Sequence, residues 1–173
     1  MSLVIPLISR TSSRITLIAI CFFMSACASQ TRKYDGYSPV LRVFNASFDK
    51  VWRAAQISLK AYPMQVNDIE KGVLETDRIK GYEIYKPPIA PKISANGLRY
   101  KIMLRTIKGK IDGVEAIKVT VQKAIEKRRD FFAEVEAPPS DGLEEAVILY
   151  RIEREITIDN ALEASQEEMN SGK

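Results

Sequence analysis

Residues 98–125, "LRYKIMLRTIKGKIDGVEAIKVTVQKAI", alternate in hydropathy on both sides of an Asp112-Gly113 turn signal. Successive side chains of a strand point to opposite faces, so a period of two marks a strand with one buried side. In the first arm Leu98, Tyr100, Ile102 and Leu104 share one face, and Arg99, Lys101, Met103 and Arg105 share the other. In the second arm Ile117, Val119 and Val121 oppose Ala116, Lys118, Thr120 and Gln122. Asp-Gly tolerates the backbone conformation that tight hairpins need. The chain must therefore build an antiparallel sheet, apolar on one side and basic-polar on the other.

A one-sided sheet needs cover, and two amphipathic stretches supply it. In "SFDKVWRAAQISLKAY", Phe48, Val51, Trp52, Ala55 and Leu59 fall on one helical face. Ser47 is placed to cap this helix, Asp49 favours its first turn, and Pro63 ends it. Trp52 in that stripe reads as a core anchor rather than a ligand platform. The second stretch, "LEEAVILYRIEREITIDNALEAS", starts at Asp141 with Glu144 three residues on, a spacing like that of a capping box. Leu143, Ala146, Val147, Leu149, Tyr150, Ile152 and Ile156 make its expected apolar stripe.

Shorter segments complete the order. "VLRVFNAS" is rich in strand formers, and "MQVNDIEKGVLETDRI" reads as two strands around Glu70-Lys71-Gly72. Residues 80–97, with three prolines and two glycines, form a long irregular connection, and "EKRRDFFAEVEAPPS" forms another. The expected fold is α+β: a helix-grip-like antiparallel sheet with one face covered by two helices. Its order is strand, helix, strands, long C-terminal helix, over residues 40–165, followed by a frayed tail at 166–173.

The side-chain inventory narrows the chemistry. Histidine is absent and the only cysteines are Cys21 and Cys27. That removes Ser–His and Cys–His couples, imidazole ligands and any thiolate cluster inside the domain. No metal or other cofactor is expected, and no catalytic residue is assigned. Glu75 and Asp77 lie two apart and could pair as carboxylates, but Arg99, Lys101 or Lys118 across the strands would neutralise such a face. Beyond residue 26 the chain carries 24 basic and 22 acidic residues, too balanced for a nucleic-acid footprint. Tyr82 and Tyr85 in the long loop, and Arg128, Arg129, Phe131 and Phe132 in "EKRRDFF", are candidate partner contacts.

The N-terminus supplies an address. Residues 1–14 hold Arg10 and Arg14 and no acid, and "ITLIAICFFM" is an apolar run at residues 15–24. Such a run fits the ~7–15 residues of a signal-peptide core better than the ~20 of a spanning helix. Met24-Ser25-Ala26-Cys27 resembles the lipobox of bacterial lipoproteins, with methionine where leucine is usual. That resemblance implies a signal peptide at 1–26 and a lipidated Cys27. Ala28, rather than Asp, follows it, which points to the outer membrane and a periplasmic domain. Residues 27–39 then read as lipidated cysteine and flexible tether, with an ordered arm carrying Tyr34 and Tyr37 as the alternative. An uncleaved N-terminal anchor helix is the alternative to the leader, though Pro6, Arg10 and Arg14 interrupt it.

The run "FNASFDKVWRAAQISLKAYPMQVNDIEKGVLETDRI", the alternating strand from Arg99 and the closing "AVILYRIEREI" resemble one known family. It is the outer-membrane-protein assembly lipoprotein C family, and the likeness spans roughly residues 41–160 as a pattern of elements. The resemblance implies a helix-grip domain, one here where the family typically carries two, and a place near the machinery that inserts β-barrels. The expected function is a non-enzymatic interaction module, anchored in the outer membrane through Cys27 and docking on an envelope protein. The alternative is a lipid or small apolar ligand held between the long helix and the sheet.

Overall fold

Two fourteen-residue strands, β5 (Leu98–Ile111) and β6 (Val114–Lys127), run antiparallel from the Asp112-Gly113 tip and pair along their whole length. Both turn residues take positive φ, 51° at Asp112 and 83° at Gly113, as a two-residue hairpin with right-handed twist requires. The computed structural model describes residues 39–91, 93–130 and 132–172. Around the hairpin lie β1 (Val40–Phe44), α1 (Phe48–Ser58), β2 (Met64–Asp68), β3 (Val73–Thr76), β4 (Ile79–Lys80) and α2 (Leu143–Ser171). All belong to the compact unit Tyr34–Lys173. The lipobox, the leader and the tether up to residue 38 lie outside the described residues.

The sheet is antiparallel throughout, in the order β1-β6-β5-β3-β2, and β4 pairs with β5 beyond the end of β3. The α+β architecture expected from the alternation is thus present: a six-stranded sheet with two helices, the second one long. Register places Val40, Val121, Leu104 and Leu74 in one cross-strand row on the covered face. Leu74, Ile102, Leu104, Ile117, Val119 and Val121 are fully buried there. All five stripe residues of α1 are buried as its spacing predicts, and the Phe48 and Trp52 rings stack at 5.9 Å.

The helices run antiparallel to each other. Tyr62, just past α1, meets Glu144 in the first turn of α2, whereas Lys50 at the start of α1 meets Asn160 and Glu163. Ile148, Leu149, Ile152 and Ile156 press α2 against the sheet. Each such burial stabilises by roughly 1.5–3 kcal/mol, against about 0–1 kcal/mol for exposed ion pairs such as Arg53–Asp159. Packing, not the row of surface charges, holds α2 down.

Four expectations need correcting. The stripe of α2 is rotated: Leu143, Ala146 and Tyr150 are exposed, and Ile148 takes the inward place. Glu144 closes no capping box; the N-cap is Gly142, and Asp141 accepts a hydrogen bond from the Leu143 N–H at 3.1 Å. Ser47 holds the N-cap position of α1, but its hydroxyl makes no capping bond. Residues 166–171 are helical rather than frayed, although no side chain beyond Ile156 is buried. Long helix-forming runs continue on their own propensity once a packed turn has nucleated them.

Candidate functional site

Two features carry polar or interactive groups in arrangements that the fold had to create. The first is buried at the start of α2. Parity on β6 puts Lys123 on the covered face between Val121 and Ile125, and its ammonium lies 2.7 Å from Glu144 Oε2. That contact is an ion pair whose angles fall outside hydrogen-bond geometry. The other carboxylate oxygen, Oε1, accepts from the Tyr62 hydroxyl at 2.9 Å and the Tyr100 hydroxyl at 3.0 Å. The Tyr100 ring stands 4.3 Å from the Lys123 ammonium, and the Tyr85 ring 5.9 Å from it.

Burial, then the neighbouring Glu144 carboxylate, pushes both the Tyr62 and the Tyr100 hydroxyls above the ordinary tyrosine range. Each therefore stays a neutral donor to Glu144 at physiological pH. Glu145 is also buried and its Oε2 has no hydrogen-bond partner; desolvation raises its carboxyl above the usual range. Lys123, Glu144, Tyr62 and Tyr100 are all closed to solvent, so this cluster orients the first turn of α2 over the sheet. Sequence reading missed it, although one signal was present: a lysine at an inward position of β6.

The second feature is the face of the sheet away from the helices. Register gives it the rows Leu41–Thr120–Arg105–Val73–Asp68 and Val43–Lys118–Ile107. Toward the hairpin tip Ile111 and Val114 pair on the same face. Leu41, Val43, Ile107, Ile111 and Val114 are all exposed, and Arg105 and Lys118 stand among them. Glu75, on this face too, forms an ion pair with Lys101 at 2.9 Å, and β3 ends at Thr76, before Asp77. Of the three basic residues expected across the strands, Lys101 is the one that neutralises Glu75, and no carboxylate pair is left.

The loop candidates lie at the other end of the hairpin. Tyr82 is half-buried and donates its hydroxyl to the Ile93 carbonyl at 2.6 Å, while half-buried Tyr85 leans toward Lys123. Arg129 pairs with Glu136 at 3.0 Å, and the Arg128 N–H bonds the Gly97 carbonyl. Asp130 accepts from the Phe132 and Ala133 amides, and this turn presents the Phe132 side chain 94% exposed. Phe131 and Cys27 lie outside the described residues.

An open groove of about 540 Å³ runs past the start of α1, lined by Phe48, Asp49, Ile69, Glu70, Lys71, Gly72, Thr106, Ile107 and Lys108. Both of its lysines are engaged: Lys71 pairs with Asp68, and Lys108 stands 4.0 Å over the Phe48 ring. Between α2 and the sheet, Ile102, Leu104, Val119, Val121, Ile148 and Ile152 have no accessible surface. No void wide enough for water borders them, which is the close packing of an ordinary core. Among the described residues no group of three or more acidic, histidine or cysteine side chains is arranged to hold a metal, and no helix is long and apolar enough to cross a membrane. No protein-family model matches this chain, and no curated protein matches it.

Proposed function

We propose that this protein is a lipoprotein anchored in the outer membrane through Cys27. Its domain works in the periplasm as a non-enzymatic interaction module in envelope or outer-membrane protein assembly. The observation that supports this reading is the open sheet face, where Leu41, Val43, Ile107, Ile111 and Val114 are exposed beside Arg105 and Lys118. Five exposed aliphatic side chains on one water-facing sheet face form a surface that a partner can cover. Burying it would contribute about 25 cal/mol per Å² of apolar area, and the basic groups would favour a partner with an acidic rim. The lipobox resemblance supplies the location, and the likeness to the assembly lipoproteins supplies the setting.

The alternative of a ligand between α2 and the sheet has less support, because Ile102, Leu104, Val119, Val121, Ile148 and Ile152 are fully buried there. Affinity capture from solubilised envelopes with the full-length lipidated chain tests the docking reading. A defined envelope protein should be recovered, and the variant Ile107→Asp with Lys118→Glu should lose it while still folding. Recovery of no envelope partner, or equal recovery by that variant, overturns docking through this face.

A further inference from the structure

The two outer edges of the sheet are built differently. Edge strands present unpaired N–H and C=O groups, and soluble proteins defend them with bulges, charges or prolines. β2 is defended: its register slips between Met64 and Val66, and Gln65, Asn67 and Asp68 make it polar. β1 carries fewer of these devices: it has no bulge, and its proline, Pro39, stands before the strand rather than in it. Its five residues pair with β6 in unbroken register, and among the described residues nothing pairs its other side. Its one charge, Arg42, is turned onto the covered face and pairs with Glu153 of α2. Leu41 and Val43 are left 57% and 42% exposed on the open face.

The strand also reads alike in both directions from its centre. In "VLRVF", Arg42 has an apolar residue at each of the two positions on either side. We propose that β1 is the seam of a homodimer, in which the β1 strands of two copies pair antiparallel with Arg42 at the twofold axis. In that register Leu41 faces the second copy's Val43 on the open side, and Val40 faces its Phe44 on the covered side. Such aliphatic and aromatic pairs across antiparallel strands are stabilising. The two Arg42 side chains would meet, but each carries its own Glu153, so the seam holds two positive and two negative groups.

A second element agrees with the placement. Tyr150 lies one helical turn before Glu153, on the flank of α2 that overlooks β1, and is 59% exposed in the single copy. The pairing would shelter it beside the seam. Assembly also stops at two, because an isologous contact consumes both β1 edges and leaves only the bulged β2 edges outside. The consequence for the docking reading, on which only this last step rests, is one continuous open face across two copies. Two anchors at Cys27 would then hold one particle, and paired anchors bind a membrane far more firmly than one.

Disulfide trapping in the full-length protein in detergent micelles tests the register. Leu41→Cys and Val43→Cys are made on two differently tagged chains and oxidised singly and mixed. Facing strand positions bring Cα atoms within the ~4.4–6.8 Å that a disulfide spans. The mixed pair should cross-link at least several-fold more than either variant alone and than the unsubstituted chain, which controls for Cys21 and Cys27. Light scattering should give twice the monomer mass for the unsubstituted chain and a single monomer for Leu41→Asp with Val43→Asp, folded by circular dichroism. Should that variant unfold, the mixed cross-link decides alone. No mixed cross-link, or a cross-link from these positions to a different protein, overturns the dimer. A dimer that recovers no envelope partner sinks the docking reading alone, and a monomer that recovers one sinks the dimer alone.

Discussion

Lys123 and Glu144 show how a single residue can be placed by local pattern and explained only by a distant one. The alternation of β6 points position 123 at the core, where an ammonium group without a partner would be strongly unfavourable. Glu144 answers it from the first turn of α2, with Tyr62 and Tyr100 completing the hydrogen bonding of the carboxylate. Breaking one half of such a pair leaves a bare buried charge, at a cost of about 3–5 kcal/mol. Lys123→Met should therefore lower stability by about that amount in urea unfolding. Adding Glu144→Gln should recover a large part of the loss, because the remaining groups are then uncharged.

Glu145 makes the opposite prediction with pH. Burial raises its folded carboxyl above the unfolded value, so the folded state holds the proton more tightly. Its stabilising contribution is complete below the unfolded pKa and is lost as pH rises through the raised folded one. Glu145→Gln should flatten that part of the profile of urea midpoint against pH, and should make the domain relatively more stable at neutral pH. An unchanged profile would mean that Glu145 finds a partner for Oε2 in solution.

Among the elements, the loops are where the sequence signals were thinnest and the tertiary ties strongest. The connection before β5 and the turn after β6 are laced together at Gly97, whose carbonyl accepts from the Arg128 N–H at 3.0 Å. Gly97 has φ of +68°, and a Cβ there would overlap the Arg128 carbonyl oxygen. Gly97→Ala should thus cost more than the roughly 1–3 kcal/mol of a strained backbone alone. Gly113→Ala, with φ of +83° but open space around it, isolates the conformational part. Thermal unfolding of the two variants should separate them by several degrees; equal shifts would remove the packing argument. The helices were more legible: the i, i+3, i+4 spacing of α1 named its buried face, because one face of one helix meets one core. For α2 the same reasoning misplaced Leu143, Ala146 and Tyr150, since a helix packed on both a sheet and another helix hides residues outside a simple stripe.

At the scale of the whole molecule, anchoring and docking are separate properties with separate tests. The anchoring reading predicts that Cys27→Ser moves the protein from the membrane to the soluble fraction on cell fractionation. Retention of the variant in membranes would defeat lipidation at Cys27, and would leave the sheet face untouched as a docking surface. The open face itself was half-visible beforehand: alternation named its residues as basic and polar. What it left unseen was that Ile107, Ile111 and Val114 toward the hairpin tip share this face with Leu41 and Val43, from a strand over sixty residues earlier, across Lys118 and Thr120 of β6.

The sequence by itself determined the antiparallel hairpin, the amphipathic face of α1 and the absence of histidine and core thiols. These follow from periodicity and composition, which act over a few neighbouring residues. Only the tertiary structure decided that β1 closes against β6, that Lys123 meets Glu144, and that one sheet edge is bulged while the other keeps an unbroken register. Those outcomes depend on strand order and register, which come from packing between segments far apart in the chain, and no local pattern carries that information.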